Sequence, residues 1–290
     1  MTKNRITSEE KEKIANDLRN YIVTIAEGSA NKASKLLKNV SNAYISHIIN
    51  KNYEPISDDA WRNIQKQVSS SNQWQIVETR GFKYLNDLFT DARLHANTYG
   101  IIGNTGYGKS QTTDQITSTN VFTIKSNEYF TSRTFLEELL RLMGKSGYGS
   151  STPAMMETII TSLLRLESPL IIIDEADKLN DNVLYFFIAL YNALEDNCGI
   201  IIMATPFLKK RIDDGVMRNK KGYQEIYSRI GRNFLEVPKP SKNDITSIIK
   251  ANGINDDETI TAIYNKSESD LRSVKRLVHA TLKIRKNDAL

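Results

Sequence analysis

The chain has 290 residues, of which 40% are apolar and 25% are charged, with a net charge of +5 and a pI near 9.0. This composition excludes a disordered, collagen-like or coiled-coil protein, and the length predicts two or three domains. Cys198 is the only cysteine, so an intramolecular disulfide and a cysteine-based zinc site are excluded. The apolar runs are too short to span a bilayer and the first residues lack an apolar segment. We therefore expect no membrane association, no signal peptide and a cytoplasmic protein.

Positive charge is concentrated at the two ends of the chain. Residues 1–80 and residues 238–290 each carry a net charge of +3, whereas residues 81–237 carry −1. Modestly basic segments favour contact with nucleic acid. The two ends are therefore the segments in which a nucleic-acid-binding pattern is expected.

Residues 1–68 are predicted to be wholly helical. The apolar face of the first helix is made by Ile14, Leu18, Ile22 and Ile25. A short helix at 31–37, the turn Lys38 to Val40 and a second helix, Asn42 to Asn50, follow the helix-turn-helix pattern. The inward positions of this second helix are Tyr44, Ile45, Ile48 and Ile49. A further helix contains Trp61, Ile64 and Val68, and we interpret the polar stretch 69–72 as a linker.

The second helix of this pattern is expected to meet the major groove of duplex DNA. Small polar side chains suit base edges, and cations suit phosphates. The residues that would face the DNA are Ser41, Asn42, Ser46, His47 and, at the end of the helix, Lys51. The alternative interpretation of this domain is a small helical bundle that binds protein.

Residues 73–237 alternate strands and helices, which predicts an α/β fold with a parallel sheet. The first strand, Tyr99 to Ile102, runs directly into a segment that fits G-x-x-x-x-G-K-S/T. Its glycines let successive N–H groups face a polyphosphate, its lysine reaches the outer phosphates, and its serine hydroxyl can ligate Mg²⁺. The predicted ATP-binding residues are Gly103, Asn104, Thr105, Gly106, Tyr107, Gly108, Lys109, Ser110 and Gln111.

Two carboxylates follow a strand that is predicted to be buried on both faces. Asp174 and Glu175 come directly after the aliphatic run 170–173, at the end of a strand where α/β sheets bind ligands. Asp174 can hold Mg²⁺ through water, and Glu175 can polarise the attacking water. Together with the phosphate loop, this pair predicts hydrolysis of a nucleoside triphosphate, with Ser110 and Asp174 at the metal.

Three further residues are candidates for the same reaction. Thr205 ends another buried strand, where it can sense the γ-phosphate or place the water, although a plain turn is the alternative. Arg229 and Arg232 precede the last strand, and either can stabilise charge on the γ-phosphate of a neighbouring subunit. Two ordinary surface arginines remain the alternative for that pair.

Residues 238–290 are predicted to be helical again. Between Leu271 and Lys286 there are six basic residues and no acidic one. Such a run is either a functional basic surface or simply a solvated helix face.

Taken together, these motifs resemble those of the AAA+ ATPases over residues 73–290. With a helix-turn-helix in front, the chain is most similar to the transposition ATPases, the group of the Mu phage B protein and of Tn7-like and IS21-like elements. The resemblance implies an AAA+ P-loop core with a small helical lid, and ATP and Mg²⁺ as cofactors. It also implies that Gly103–Ser110 is the Walker A loop and that Asp174 and Glu175 are the Walker B pair, with Glu175 catalytic.

The resemblance carries weaker implications for three other positions. Thr205 falls at sensor 1, where asparagine is the commoner residue. Arg272 falls at sensor 2, but Ser269 replaces the usual glycine three residues earlier. Arg229 would be the arginine finger, with Arg232 as its rival.

The resemblance further implies a function. ATP would lie between adjacent subunits and favour a filament or ring around double-stranded DNA, which recruits and stimulates a DDE transposase. The core residues expected to contact DNA phosphates are Lys125, Arg133 and Lys145. Two alternatives are a replication initiator or helicase loader, and a transcriptional regulator whose front domain reads an operator while ATP controls assembly.

Overall fold

The computed structural model describes residues 6–24, 26, 28–68 and 74–288, which form two compact units, 1–75 and 76–290. Ile25, the predicted linker 69–72 and residue 73 lie outside the described residues. The unit boundary falls a few residues beyond the predicted linker. The second unit contains the predicted core from residue 76 onward and the whole predicted lid.

The first unit packs its described helices around one apolar core. Trp61, Ile45 and Leu18 are fully buried in it. The turn between the second and third helices is held by Asn63 and Gln67, whose side-chain amides donate to the Lys38 carbonyl, each at 3.0 Å. The helices are α1 Ser8–Thr24, α2 Ala30–Leu36, α3 Asn42–Ile49 and α4 Asp58–Val68.

One predicted core position of this unit is wrong. Ile49 was expected to face inward, but its side chain is 42% exposed. Ile45 and Ile48 fill the core instead, and Ile49 lies one residue further around the helix, about 100° away from Ile48.

The second unit contains a five-stranded parallel sheet with the order β2-β3-β4-β1-β5. The strands are β1 Thr98–Ile102, β2 Val121–Lys125, β3 Leu170–Asp174, β4 Gly199–Ala204 and β5 Phe234–Glu236. Lys125 is in register with Asp174, and Ile102 with Ala204. The carboxyl ends of four strands therefore reach the same edge, which is where ligands bind in open α/β sheets.

Helices cover both faces of this sheet, and the predicted α/β fold is confirmed. They are α5 Arg80–His95, α6 Lys109–Asp114, α7 Ser132–Leu142, α8 Thr152–Leu163, α9 Asp181–Leu184, α10 Phe186–Leu194, α11 Pro206–Met217 and α12 Tyr223–Arg229. Tyr185 is the one residue between α9 and α10, and its backbone keeps a right-handed helical conformation. Among the described helices, none is both long enough and apolar enough to cross a membrane.

Three helices follow the sheet and form the lid: α13 Lys242–Ala251, α14 Asp257–Ser267 and α15 Leu271–Asp288. Asp244 ties the first of them to the core. Its carboxylate accepts from the Arg80 backbone N–H at 3.0 Å and from the Ser241 hydroxyl at 2.6 Å. Burial of Asp244 opposes its ionisation, but these hydrogen bonds prevail and lower its pKa. The lid is thus anchored to the residue that begins α5.

Candidate nucleotide-binding site

The loop after β1 has the backbone conformation that a phosphate loop requires. Gly106 and Gly108 have φ angles of +80° and +90°, which glycine adopts without strain. Gly108 is the N-cap of α6 and provides no side-chain cap, so the first N–H groups of the helix stay available for an anion. Asn104 and Thr105 are exposed at the tip of this loop, and Tyr107 and Gln111 lie at its flanks.

Lys109 is folded onto its own loop. Its side chain is buried, and its ammonium donates to the carbonyls of Gly103 and Asn104, the latter at 3.1 Å. Burial lowers the pKa of Lys109, while the carboxylates of Asp174 and Asp177 oppose that shift. A bound polyphosphate would offer this buried cation stronger, charged acceptors than the two carbonyls.

Asp174 is the last residue of β3 and has one unused acceptor. Its Oδ1 accepts from the Glu175 N–H at 2.9 Å, whereas its buried Oδ2 has no hydrogen-bond partner among the described residues. Burial raises the pKa of Asp174, and the neighbouring Ser110 hydroxyl opposes that shift. An orphaned carboxylate oxygen beside a hydroxyl is a hard-oxygen donor set, so these residues fit Mg²⁺.

Glu175 follows in a left-handed conformation, with a φ of +55°. Its carboxylate forms an ion pair with Lys178, three residues later, and both side chains are 38% exposed. The residue predicted to polarise the attacking water is therefore paired with a cation in this structure.

The structure adds one residue that the sequence interpretation missed. The Thr205 hydroxyl, predicted to sense phosphate, donates to Oδ2 of Asp177 at 2.8 Å. Asp177 also acts electrostatically on Lys109, so it belongs to the same site. The signal was present in the sequence, because Asp177 is the third carboxylate of the run Asp-Glu-Ala-Asp that begins at Asp174.

The lid reaches this site through the start of α15. The Leu271 N–H donates to the Gly106 carbonyl at 2.9 Å, and Arg272 adds a positive charge near Lys109. A cleft of about 770 Å³ lies between Thr105 and the exposed face of α15. The structure thus brings Arg272, the predicted sensor 2 residue, to the phosphate loop.

Arg229 and Arg232 are placed elsewhere. Arg229 ends α12 and donates to Oδ1 of Asn192 at 2.9 Å, with its guanidinium 4.8 Å from the Tyr191 ring centre. Both contacts are with α10 rather than with the phosphate loop. Arg232 is exposed and has a φ of +59° directly after Gly231.

Two of the three predicted DNA-contacting residues of the core form ion pairs with nearby carboxylates. Lys125 pairs with Asp114 at 2.6 Å, and Arg133 pairs with Glu137 at 2.8 Å. Lys145 is exposed in the loop after α7. Ion pairs at the surface contribute little stability, so Lys125 and Arg133 would be able to exchange these carboxylates for DNA phosphates.

In the first unit, the predicted DNA-contacting residues occupy or flank α3. Ser41 is the N-cap and accepts from the Tyr44 N–H at 3.2 Å. The Asn42 amide donates to Asn31 at 2.6 Å. The others are an exposed Ser46, a half-buried His47 and an exposed Lys51 whose φ is +56°.

Residues 93–212 match the family model of an AAA domain. The matched segment includes the phosphate loop, Asp174, Glu175 and Thr205, and it ends before the arginines and the lid. The sheet, the phosphate loop and this match define an α/β AAA+ P-loop core, and they support the predicted ATPase activity. No curated protein matches the chain.

Several solved structures are similar to this chain. The Drosophila ORC bound to DNA is 14% identical, with a TM-score of 0.49 over 73% of this chain and 56% of that one. NtrX from Brucella abortus in complex with ATP is 13% identical, with a TM-score of 0.48 over 83% and 59%. The chain thus spans less than two thirds of the length of both structures.

Proposed function

We propose that this ATPase assembles on double-stranded DNA in the presence of ATP, as a filament or ring, and recruits and stimulates a DDE transposase. The observation that carries the assembly is the placement of the arginines. One chain brings Lys109, Asp174, Glu175 and Arg272 to the nucleotide site, but Arg229 is held on α10. We therefore infer that a second copy supplies the arginine finger, Arg229 or Arg232, to the γ-phosphate.

Within the proposed site each residue has a distinct task. Lys109 and the loop N–H groups bind the phosphates, and Ser110 with Asp174 would hold Mg²⁺, which supplies charge neutralisation on the outer phosphates when bound. Glu175 orients and polarises the attacking water, and Thr205 is fixed by Asp177 beside it. Because phosphoryl transfer depends mainly on positioning and charge, these tasks account for hydrolysis.

The contact with DNA is proposed on two grounds. In the first unit, α2 and α3 are joined by a turn that α4 braces, and Ser46 and Asn42 lie on the exposed side of α3. In the second unit, Lys125, Arg133 and Lys145 provide cations for phosphates. Binding of this kind would be largely independent of sequence and strongly dependent on salt. The proposed domains are 1–68 for DNA binding, 73–237 for ATP hydrolysis and 238–290 for the lid.

Mixing two inactive variants tests the shared site. Glu175→Gln should bind ATP but hydrolyse it slowly, and Arg229→Ala should hydrolyse poorly in assemblies. Mixed subunits form some sites with an intact Glu175 and an intact Arg229, so turnover should partly return. No recovery at any mixing ratio would contradict a finger from a neighbouring subunit, and the same experiment with Arg232→Ala decides between the two arginines.

Assembly and partner need separate measurements. Electron microscopy with duplex DNA and a slowly hydrolysed ATP analogue should show a filament or rings on DNA of any sequence. Tight ATP-independent binding to a single palindrome would instead favour the transcriptional regulator. Stimulation of strand transfer by a DDE transposase encoded in a neighbouring reading frame tests the partner, whereas stimulated loading of a helicase would favour the replication ATPase.

A further inference from the structure

The lid carries a basic stripe that begins at the nucleotide site with Arg272 and continues along α15 beyond it. Arg272, Arg276, His279 and Lys283 follow one another at three- or four-residue spacing along α15, and they therefore lie on one helix face. The arginines and Lys283 are exposed. We call this face, together with the adjacent Lys275, the α15 stripe.

The charge of the α15 stripe is not balanced from within its own helix. The helix sequence has no acidic residue before Asp288. Asp270, at the mouth of the neighbouring cleft, caps the helix, because its Oδ1 accepts from the N–H groups of Arg272 at 2.7 Å and Ser273 at 3.3 Å. Arg285 is paired with Asp256 at 2.5 Å and is not part of the stripe.

We propose that the α15 stripe binds the phosphate backbone of duplex DNA. This inference rests on the proposed function, in which the chain assembles on DNA, and it identifies a surface of the lid as a DNA contact. From Arg272 to Lys283 the helix rises about 16 Å, a length along which one DNA strand presents about five phosphates. An array of anions at regular intervals complements this stripe, whereas the phosphates of one nucleotide would engage only its first turn.

The first residue of α15 is hydrogen-bonded to the phosphate loop, so DNA bound to the α15 stripe is expected to affect ATP binding. Leu271, at its first position, donates to the Gly106 carbonyl, and the Asp270 carboxylate lies against Gly106. A rigid helix that binds DNA along its length and the nucleotide loop at its end couples the two ligands. By linkage, DNA on the stripe changes ATP affinity by the factor by which ATP changes DNA affinity.

The double variant Arg276→Gln/Lys283→Gln of the full chain tests this surface. Glutamine keeps the helix propensity and removes two charges, and Arg272 stays intact because it belongs to the proposed nucleotide site. With ATP present, affinity for duplexes of unrelated sequence should fall at least about tenfold near 0.1 M salt, and the slope of log K against log salt should decrease by about 2. ATP affinity without DNA should be unchanged.

A matched control removes two exposed lysines from the other lid helices. Lys250→Gln/Lys266→Gln lowers the net charge equally but touches α13 and α14. It should leave the salt slope at the wild-type value, and the conservative pair Arg276→Lys/Lys283→Arg should do the same. If both glutamine double variants lose DNA affinity equally, the loss follows from net charge alone and the proposal is overturned.

The remaining outcomes separate this inference from the proposed function. If wild type binds duplexes with ATP and the stripe variant binds them with an unchanged slope, only the inference about α15 fails. If wild type binds no duplex with ATP, the proposed function fails and the inference fails with it. A variant that loses DNA binding together with ATP affinity in the absence of DNA would show a damaged nucleotide site rather than a backbone contact.

Discussion

The hydroxyl of Thr205 donates a hydrogen bond of 2.8 Å to Oδ2 of Asp177, and this bond joins the end of β4 to the turn that follows β3. These two residues lie 28 positions apart in the chain. Because β3 and β4 are neighbours in the sheet, the bond fixes Thr205 beside the carboxylates that follow β3. Asp177 thereby becomes a positioning residue for the nucleotide site.

We expect Thr205→Val and Asp177→Ala each to lower ATP turnover about tenfold, which corresponds to about 1.4 kcal/mol, with a smaller effect on ATP affinity. The double variant should be no slower than either single variant, because both changes remove the same hydrogen bond. Steady-state kinetics and equilibrium ATP binding measure the two quantities. Multiplicative losses in the double variant would show that the two residues act independently.

The ion pair between Glu175 and Lys178 predicts that removing Lys178 raises ATP turnover rather than lowering it. Releasing Glu175 with Lys178→Met should raise turnover by up to about fivefold, since an exposed ion pair contributes at most about 1 kcal/mol. Lys209→Met is the matched control, because Lys209 forms a comparable pair with Asp213 on α11. Turnover that stays the same, or a gain that persists in Glu175→Gln, would argue against restraint of Glu175 by Lys178.

Lys109→Ala removes the buried ammonium that donates hydrogen bonds to the carbonyls of Gly103 and Asn104. We expect loss of ATP binding and of ATP-dependent DNA complexes, because the outer phosphates lose their point charge. Lys145→Ala, which removes an exposed lysine, should bind ATP like wild type. Fluorescent nucleotide titration gives the affinities, and normal assemblies formed by Lys109→Ala would contradict its role.

Gly106 makes the contact between loop and lid possible. A Cβ at this position would lie 2.1 Å from Oδ1 of Asp270, and its φ of +80° also disfavours other residues. Gly106→Ala should therefore lower the melting temperature and weaken ATP binding. Gly144→Ala serves as the control, because Gly144 has a φ of +71° but no atom within 4 Å of the added Cβ. It should cost only the backbone strain, about 1 kcal/mol.

The clash at Gly106 can be separated from its backbone strain. Asp270→Ala removes the two closest atoms, so it should restore part of the ATP affinity that Gly106→Ala loses. A Gly106→Ala variant no less stable than Gly144→Ala would show that the lid does not press on the loop.

Asp181 predicts a stability effect confined to one pH range. Burial opposes its ionisation, but hydrogen bonds from Lys220, Tyr223 and Arg211 prevail and lower the pKa of Asp181 from 3.8 to about 2. A lowered carboxyl pKa stabilises the folded protein above pH 3.8, and that contribution disappears as the pH falls towards 2. Asp181→Asn should thus lower the free energy of unfolding by about 2 kcal/mol at pH 7 and by much less near pH 2.

Urea unfolding of wild type and Asp181→Asn at several pH values measures this difference. Asp213→Asn provides the control, since its partner Lys209 is exposed to a larger extent than Arg211. A loss of stability in Asp181→Asn that does not change between pH 7 and pH 2 would mean that the ionised network contributes nothing.

The features that could be predicted from the sequence are those encoded by residues close together in the chain. The segment Gly103–Ser110 and the pair Asp174 and Glu175 each require residues close together in the chain, and aliphatic runs mark the buried strands that precede them. Asp177 could have been predicted as a site residue, because it belongs to the same acidic run. Its hydrogen bond to Thr205 could not have been predicted, because that bond depends on which strands become neighbours in the sheet. The inward position predicted for Ile49 was wrong because adjacent residues of a helix point about 100° apart, and Ile48 is the one that faces the core.

The amino-acid sequence by itself determined the chemistry of this protein: a phosphate loop, a carboxylate pair and a parallel sheet that aligns them, because each is encoded over a few consecutive residues. Only the tertiary structure decided how distant segments meet. It brought Asp177 to Thr205 and the start of α15 to Gly106, and it held Arg229 on α10. Those contacts depend on strand order and helix packing, which arise from the burial of apolar surface over the whole unit and leave no local pattern in the chain.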